Sequence, residues 1–125
     1  MMALNYNNIL ISSQDPQALI AFYQKVANAD PVWKSDDGSF VMFKIGSGWI
    51  CIGSHDKVKG KNQGPERVMF GFETQDVKGE HERLKAAGAA EVAAPYNPPG
   101  NPEMWLSTLA DPDGNYFQLG SPMKV

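Results

Sequence analysis

Hydrophobic and polar residues alternate from Asn5 to Ser13, with Ile9 and Ile11 on one side and Asn8, Leu10 and Ser12 on the other. A period of two marks a half-buried strand. Asp15-Pro16 then ends it: the aspartate caps the free amides of a first helical turn, and proline suits the first helical position. Leu19, Phe22, Tyr23 and Val26 follow at helical spacing as one apolar stripe, and Asn28 suits a left-handed stop. Three extended runs are predicted next, over Pro31 to Lys34, Ser39 to Ile45 and Trp49 to Gly53. Asp36-Asp37-Gly38 and Gly46-Ser47-Gly48 separate them, and both are hairpin-turn chemistry.

The pattern then restarts. Val68 to Thr74 alternates, with Phe70 and Phe72 on one side and Met69, Gly71 and Glu73 on the other. Asp76 is placed to cap a second helix containing Val77, Leu84 and Ala87, and Gly88 to stop it. Further strands are predicted over Ala90 to Ala94, Met104 to Ala110 and Asn115 to Gly120. Pro95 to Pro102 holds four prolines and is expected to form neither helix nor ladder. Asp111-Pro112-Asp113-Gly114 makes a tight turn into the last strand. The order strand, helix, three strands thus occurs twice, in a module over about residues 1–54 and another over about 67–125. The stretch between, about 55–66, carries Lys57, Lys59 and Lys61 with glycines and a proline, and reads as a solvated, mobile linker. One α+β domain over 1–125 is expected.

Composition narrows the partners. The 125 residues are 42% hydrophobic and 20% charged, normal for a globular chain. A net charge of −3 argues against nucleic acid or an anionic membrane surface, which would want a basic face. No run approaches a membrane span, and Met-Met-Ala-Leu-Asn-Tyr lacks the basic segment and apolar run of a secretion signal. A cytoplasmic protein is expected. Cys51 is the one cysteine, so no internal disulfide forms.

Strand parity separates two faces. Ile9, Ile11, Ile50, Ile52, Phe70, Phe72, Phe117 and Leu119 are apolar residues two apart, as expected under the helices. The opposite face carries Asn8, Trp49, Cys51, Met69, Glu73, Tyr116 and Gln118. Amides, sulfur and aromatic rings are the lining of a ligand cavity and not of a packed core. Tyr96 on the proline-rich loop is a candidate lid residue, and Trp105 a further aromatic contact. Each has a plainer reading: Cys51 as an inert buried thiol, the tryptophans as packing, the loop as a rigid excursion. His55 and His81 are expected at the surface, His81 between Glu80 and Glu82. Glu73 could serve as a base if buried, but its place near a strand end favours solvation. No nucleophile triad or dinucleotide fingerprint occurs, and Gly46-Ser47-Gly48 lacks the strand-to-helix setting of a phosphate loop.

The chain resembles the vicinal oxygen chelate superfamily, which includes glyoxalase I, bleomycin-resistance proteins and extradiol dioxygenases. The likeness rests on Ser12-Ser13-Gln14-Asp15-Pro16 running into Ala21-Phe22-Tyr23, on Phe70-Gly71-Phe72 ahead of Asp76, and above all on Asp111-Pro112-Asp113-Gly114-Asn115-Tyr116-Phe117-Gln118-Leu119. It implies two βαβββ modules whose mixed sheets curl into a cup, and a homodimer. It also implies four inward metal-ligand positions, which fall on Asn8, Cys51, Met69 and Gln118. Those residue types do not make a site for a hard divalent ion, so no metal and no cofactor are expected. The leading expectation is a protein that binds a planar or hydrophobic small molecule in an aromatic, amide-lined pocket. A metal-independent isomerase or lyase using Glu73 or Cys51 is the alternative, followed by a metal-dependent glyoxalase-like lyase or dioxygenase.

Overall fold

A computed structural model describes residues 3–122; Met1 and Met2 of the opening stretch lie outside them. The element order is β1(Asn8–Ser13), α1(Pro16–Ala27), β2(Trp33–Lys34), β3(Val41–Ile45), β4(Gly48–Ser54), β5(Phe70–Glu73), α2(Val77–Ala86), β6(Ala90–Tyr96), β7(Leu106–Ala110) and β8(Tyr116–Gly120). The chain divides into two compact units, Met1–Gly60 and Lys61–Val125.

The first unit is a four-stranded mixed sheet in the order β1-β4-β3-β2, with β1 parallel to β4 and the other pairs antiparallel. Its helix α1 packs on β1, β3 and β4. Asp15 Oδ1 accepts from the Ala18 amide, Pro16 opens the helix, and Asn28 closes it at φ 53°, ψ 41°. The stripe predicted from spacing is the one that buries: Leu19 and Tyr23 are wholly enclosed, with Phe22 and Val26 beside them. They meet the apolar strand face of Ile11, Val41, Phe43, Ile50 and Ile52, all buried. Burying each such side chain contributes about 1.5–3 kcal/mol.

The second unit repeats the plan, with sheet order β5-β8-β7-β6, β5 parallel to β8, and α2 against β6, β7 and β8. Asp76 caps α2 through the Gly79 amide, and Gly88 follows the helix at φ 114°. Phe70, Phe72 and Phe117 form a ring cluster with centroids 5.6–5.8 Å apart on the apolar face. Both units are βαβββ, and the fold is α+β.

Several strands begin a residue or more later than the sequence pattern suggests, β2, β3 and β7 each by two residues, and three further differences bear on the site faces. β1 begins at Asn8, not Asn5, because its ladder with β4 begins with Asn8 opposite Trp49. β5 begins at Phe70, so Val68 and Met69 precede it, both exposed. Conversely, Pro95 and Tyr96 belong to β6, correcting the expectation that no ladder forms there. β6 is an edge strand with register shifts on either side of Ala93, and an edge tolerates proline's lack of an N–H donor. The connection between units is also tied down: the Gly60 amide donates to Gln14 Oε1, and the Asn62 amide to the Asp113 carbonyl.

Candidate functional site

In the first unit, strand register sorts the side chains into rows. Asn8, Trp49 and Lys44 stand opposite one another on β1, β4 and β3. The next row on that face is Leu10, Cys51, Met42 and Trp33. This is the face turned away from the Ile50 and Ile52 side chains that α1 covers. Leu10 is 56% exposed and Trp33 47%, while Cys51 is buried. Burial pushes the Cys51 thiol above its ordinary pKa, so it is a protonated thiol at neutral pH. The Lys44 ammonium lies 5.4 Å from the Trp49 ring centroid.

In the second unit, Gly71, Gln118, Thr108 and Ala93 form one row across β5, β8, β7 and β6. Small neighbours leave the Gln118 amide room, and its Nε2 donates to Thr108 Oγ1 at 3.4 Å. Tyr116 lies two residues from Gln118 on the same face, and Glu73 two residues from Gly71. Glu73 is exposed. Tyr96 pairs with Leu106 and is 40% exposed. Trp105 lies apart from this set: Lys78 of α2 places its ammonium 3.9 Å from the indole centroid, on the helix side. A cleft of about 250 Å³ beside α1, lined by Gln17, Ile20, Gln24 and Lys34 among others, contains none of the predicted site residues.

His81 corrects the expectation of a surface histidine, for it is wholly buried. Its Nε2 is 2.7 Å from Glu91 Oε2 and its Nδ1 is 2.8 Å from Ser107 Oγ. A carboxylate only accepts, so Nε2–H donates to Glu91; in the neutral ring Nδ1 then accepts from the Ser107 hydroxyl. The hydrogen bond from His81 holds the Glu91 carboxyl below its usual range, against partial desolvation, and Lys85 adds to the lowering. Glu80 pairs with Arg83, and Glu82 with Lys85. Serine, histidine and carboxylate in a chain resemble a nucleophile relay, but Ser107 is as enclosed as His81. No substrate reaches it; the chain fastens α2 to β6 and β7. The signal was available, since Val77, His81 and Leu84 share one helical stripe.

The Asp111 turn is structural as well. Asp111 is buried, and its Oδ1 accepts from the amides of Asp113 and Asn115. Gly114, at φ 80°, completes the reversal into β8. The turn sets where Gln118 emerges.

The sequence profile of a glyoxalase-like domain matches residues 8–120. The chain belongs to that glyoxalase-like family. The match and the fold place it in the vicinal oxygen chelate superfamily. No curated protein matches it. Among solved structures it is similar to a glyoxalase-related enzyme from Fulvimarina pelagi, with TM-score 0.75 and 18% identity over 94% of this chain and 88% of that one. A glyoxalase/bleomycin resistance protein/dioxygenase family enzyme from Burkholderia phytofirmans PsJN gives TM-score 0.74 and 21% identity over 94% and 98%. A mutant of the fosfomycin resistance protein FosX from Listeria monocytogenes, complexed with Mn(II) and 1S,2S-dihydroxypropylphosphonic acid, gives 0.71 and 24% over 98% and 93%. At these identities the likeness is one of fold.

The four positions that the resemblance to the vicinal oxygen chelate superfamily implies for a metal, Asn8, Cys51, Met69 and Gln118, carry poor donors. In the first unit, Asn8 is a neutral amide whose Nδ2 donates to Asn7 Oδ1, and Cys51 is a buried thiol with a raised pKa. In the second, Met69 is a thioether just ahead of β5, and the Gln118 amide meets Thr108. Hard divalent ions select carboxylate oxygen and imidazole nitrogen, so this set does not fit. Among the described residues, no three His, Cys, Asp or Glu side chains are grouped to hold a metal ion.

Proposed function

We propose that this glyoxalase-like protein binds a planar or hydrophobic small molecule without a metal centre. The supporting observation is the chemistry of the sheet faces turned away from the helices. One carries Asn8, Trp49 and Cys51 with Leu10 and Met42; the other carries Gln118, Tyr116 and Thr108. Rings and sulfur supply apolar contact area, and amides read hydrogen bonds at a ligand's polar edge. Trp105 is left out of this set because it lies on the helix side, beside Lys78. The Mn(II) and phosphonic acid of the FosX complex are not carried over, since Asn8, Cys51, Met69 and Gln118 do not together suit a hard divalent ion.

Nothing favours the isomerase or lyase alternative. Burial keeps Cys51 protonated, and Glu73 is exposed at the end of β5. No helix among the described residues is long and apolar enough to cross a membrane. We place the protein in the cytoplasm as a homodimer, on its composition and its resemblance.

A thermal-shift screen of planar apolar compounds tests the proposal. A ligand at 100 times its Kd adds about 2.7 kcal/mol, a rise on the order of 10 °C for a chain of this size. Stabilisation by Mn²⁺, Ni²⁺ or Zn²⁺, with none by any planar compound, would overturn it.

A further inference from the structure

We propose that the ligand held on the β1-β4-β3-β2 face is a planar carboxylic acid, bound as its anion with the carboxylate at Lys44. The proposal rests on reading that face as the binding surface and adds the charge of what binds. Strand register makes Lys44 the one charged side chain that these four strands place on this face. Lys34, by contrast, pairs with buried Val41 and belongs to the opposite side. Lys44 is exposed, and among the described residues no carboxylate pairs with it; its ammonium lies over the Trp49 ring. A cation–π contact of that kind holds the side chain beside the indole while leaving the ammonium donors free for an anion.

The row beside it supplies the other half of the recognition. Leu10, Met42 and Trp33 flank Cys51 one pleat repeat along the strands, roughly 7 Å from the row of Asn8, Trp49 and Lys44. A fused two-ring acid has about that length, so its rings cover the apolar row while its carboxylate reaches the ammonium. Asn8, at the far end of the polar row, offers its amide to a second polar substituent. A lysine is a compact point charge without the planar fork of arginine, and it suits a single carboxylate.

Three isosteric probes decide the matter: naphthoate, naphthamide and naphthylmethylammonium, titrated by tryptophan fluorescence and thermal shift against the wild type, Lys44→Met and Lys44→Arg. One charge-assisted contact gives naphthoate about tenfold tighter binding than naphthamide. Lys44→Met should abolish that preference, Lys44→Arg should keep most of it, and added salt should weaken naphthoate far more than naphthamide. Equal binding of naphthoate and naphthamide, a preference for the ammonium probe, or a naphthoate preference that survives Lys44→Met would each overturn the acid while the planar-ligand reading stands. If none of the three binds the wild type, both fall.

Discussion

The His81–Ser107 contact allows a double-mutant cycle whose magnitude follows from burial. Both side chains are wholly enclosed, and the hydrogen bond between them is 2.8 Å. Ser107→Ala leaves His81 Nδ1 without its hydrogen-bond partner in a site water does not reach, at a loss of about 1–3 kcal/mol. His81→Leu strands the Ser107 hydroxyl at a similar loss, with a further term for the change of shape. When both are replaced no polar atom of the pair remains, so the double variant should be less damaged than the sum of the singles by about 1–2 kcal/mol. Urea unfolding followed by tryptophan fluorescence reads all four corners, at unchanged m-value if the native state is otherwise intact. Single losses that add to within about 0.5 kcal/mol of the double would refute the coupling. So would a Ser107→Ala variant as stable as the parent.

Other predictions concern separate parts of the molecule. A Cβ at Gly53 would stand 2.6 Å from Phe40 Cδ2, so Gly53→Ala should lower stability by about 1–3 kcal/mol; an unchanged melting temperature would contradict this. Asp37 is held down from 3.8 to about 2, mainly by the Ser39 amide, with the Ser39 and Ser35 hydroxyls adding. A carboxyl lowered by folding stabilises above its unfolded pKa and loses that contribution as pH falls through the folded one. Asp37→Asn should therefore flatten the stability–pH curve between 3.8 and about 2 and leave its slope at neutral pH unchanged. Cys51, buried and protonated, should react with a thiol reagent in urea and only slowly in the native protein; fast native labelling would reopen the covalent alternative.

The repeat of strand, helix and three strands was readable because each step carries local physics. Asp15 and Asp76 cap, Asn28 and Gly88 stop, and period two gives way to helical spacing between them. What the sequence hid was pairing. Edge position let Pro95 and Tyr96 into β6, and the β1–β4 and β5–β8 ladders begin only at Asn8 and Phe70. On the candidate faces, parity brought Asn8, Trp49 and Cys51 together and placed Gln118 with Tyr116. Lys44 and Thr108 were missed, since only strand register shows that they stand opposite Trp49 and Gln118. Trp105 precedes β7, and the ammonium of Lys78 lies over its ring. His81 was judged by its charged neighbours Glu80 and Glu82, but the helix turns those toward Arg83 and Lys85.

The measurement that bears most directly on a binding surface without a metal is metal content set beside metal titration. Protein purified without chelator, assayed by inductively coupled plasma mass spectrometry and then titrated calorimetrically with Mn²⁺, Ni²⁺ and Zn²⁺, should carry substoichiometric metal and release no saturable heat. Stoichiometric metal that is lost on replacing Gln118 or Asn8 by alanine would contradict the account.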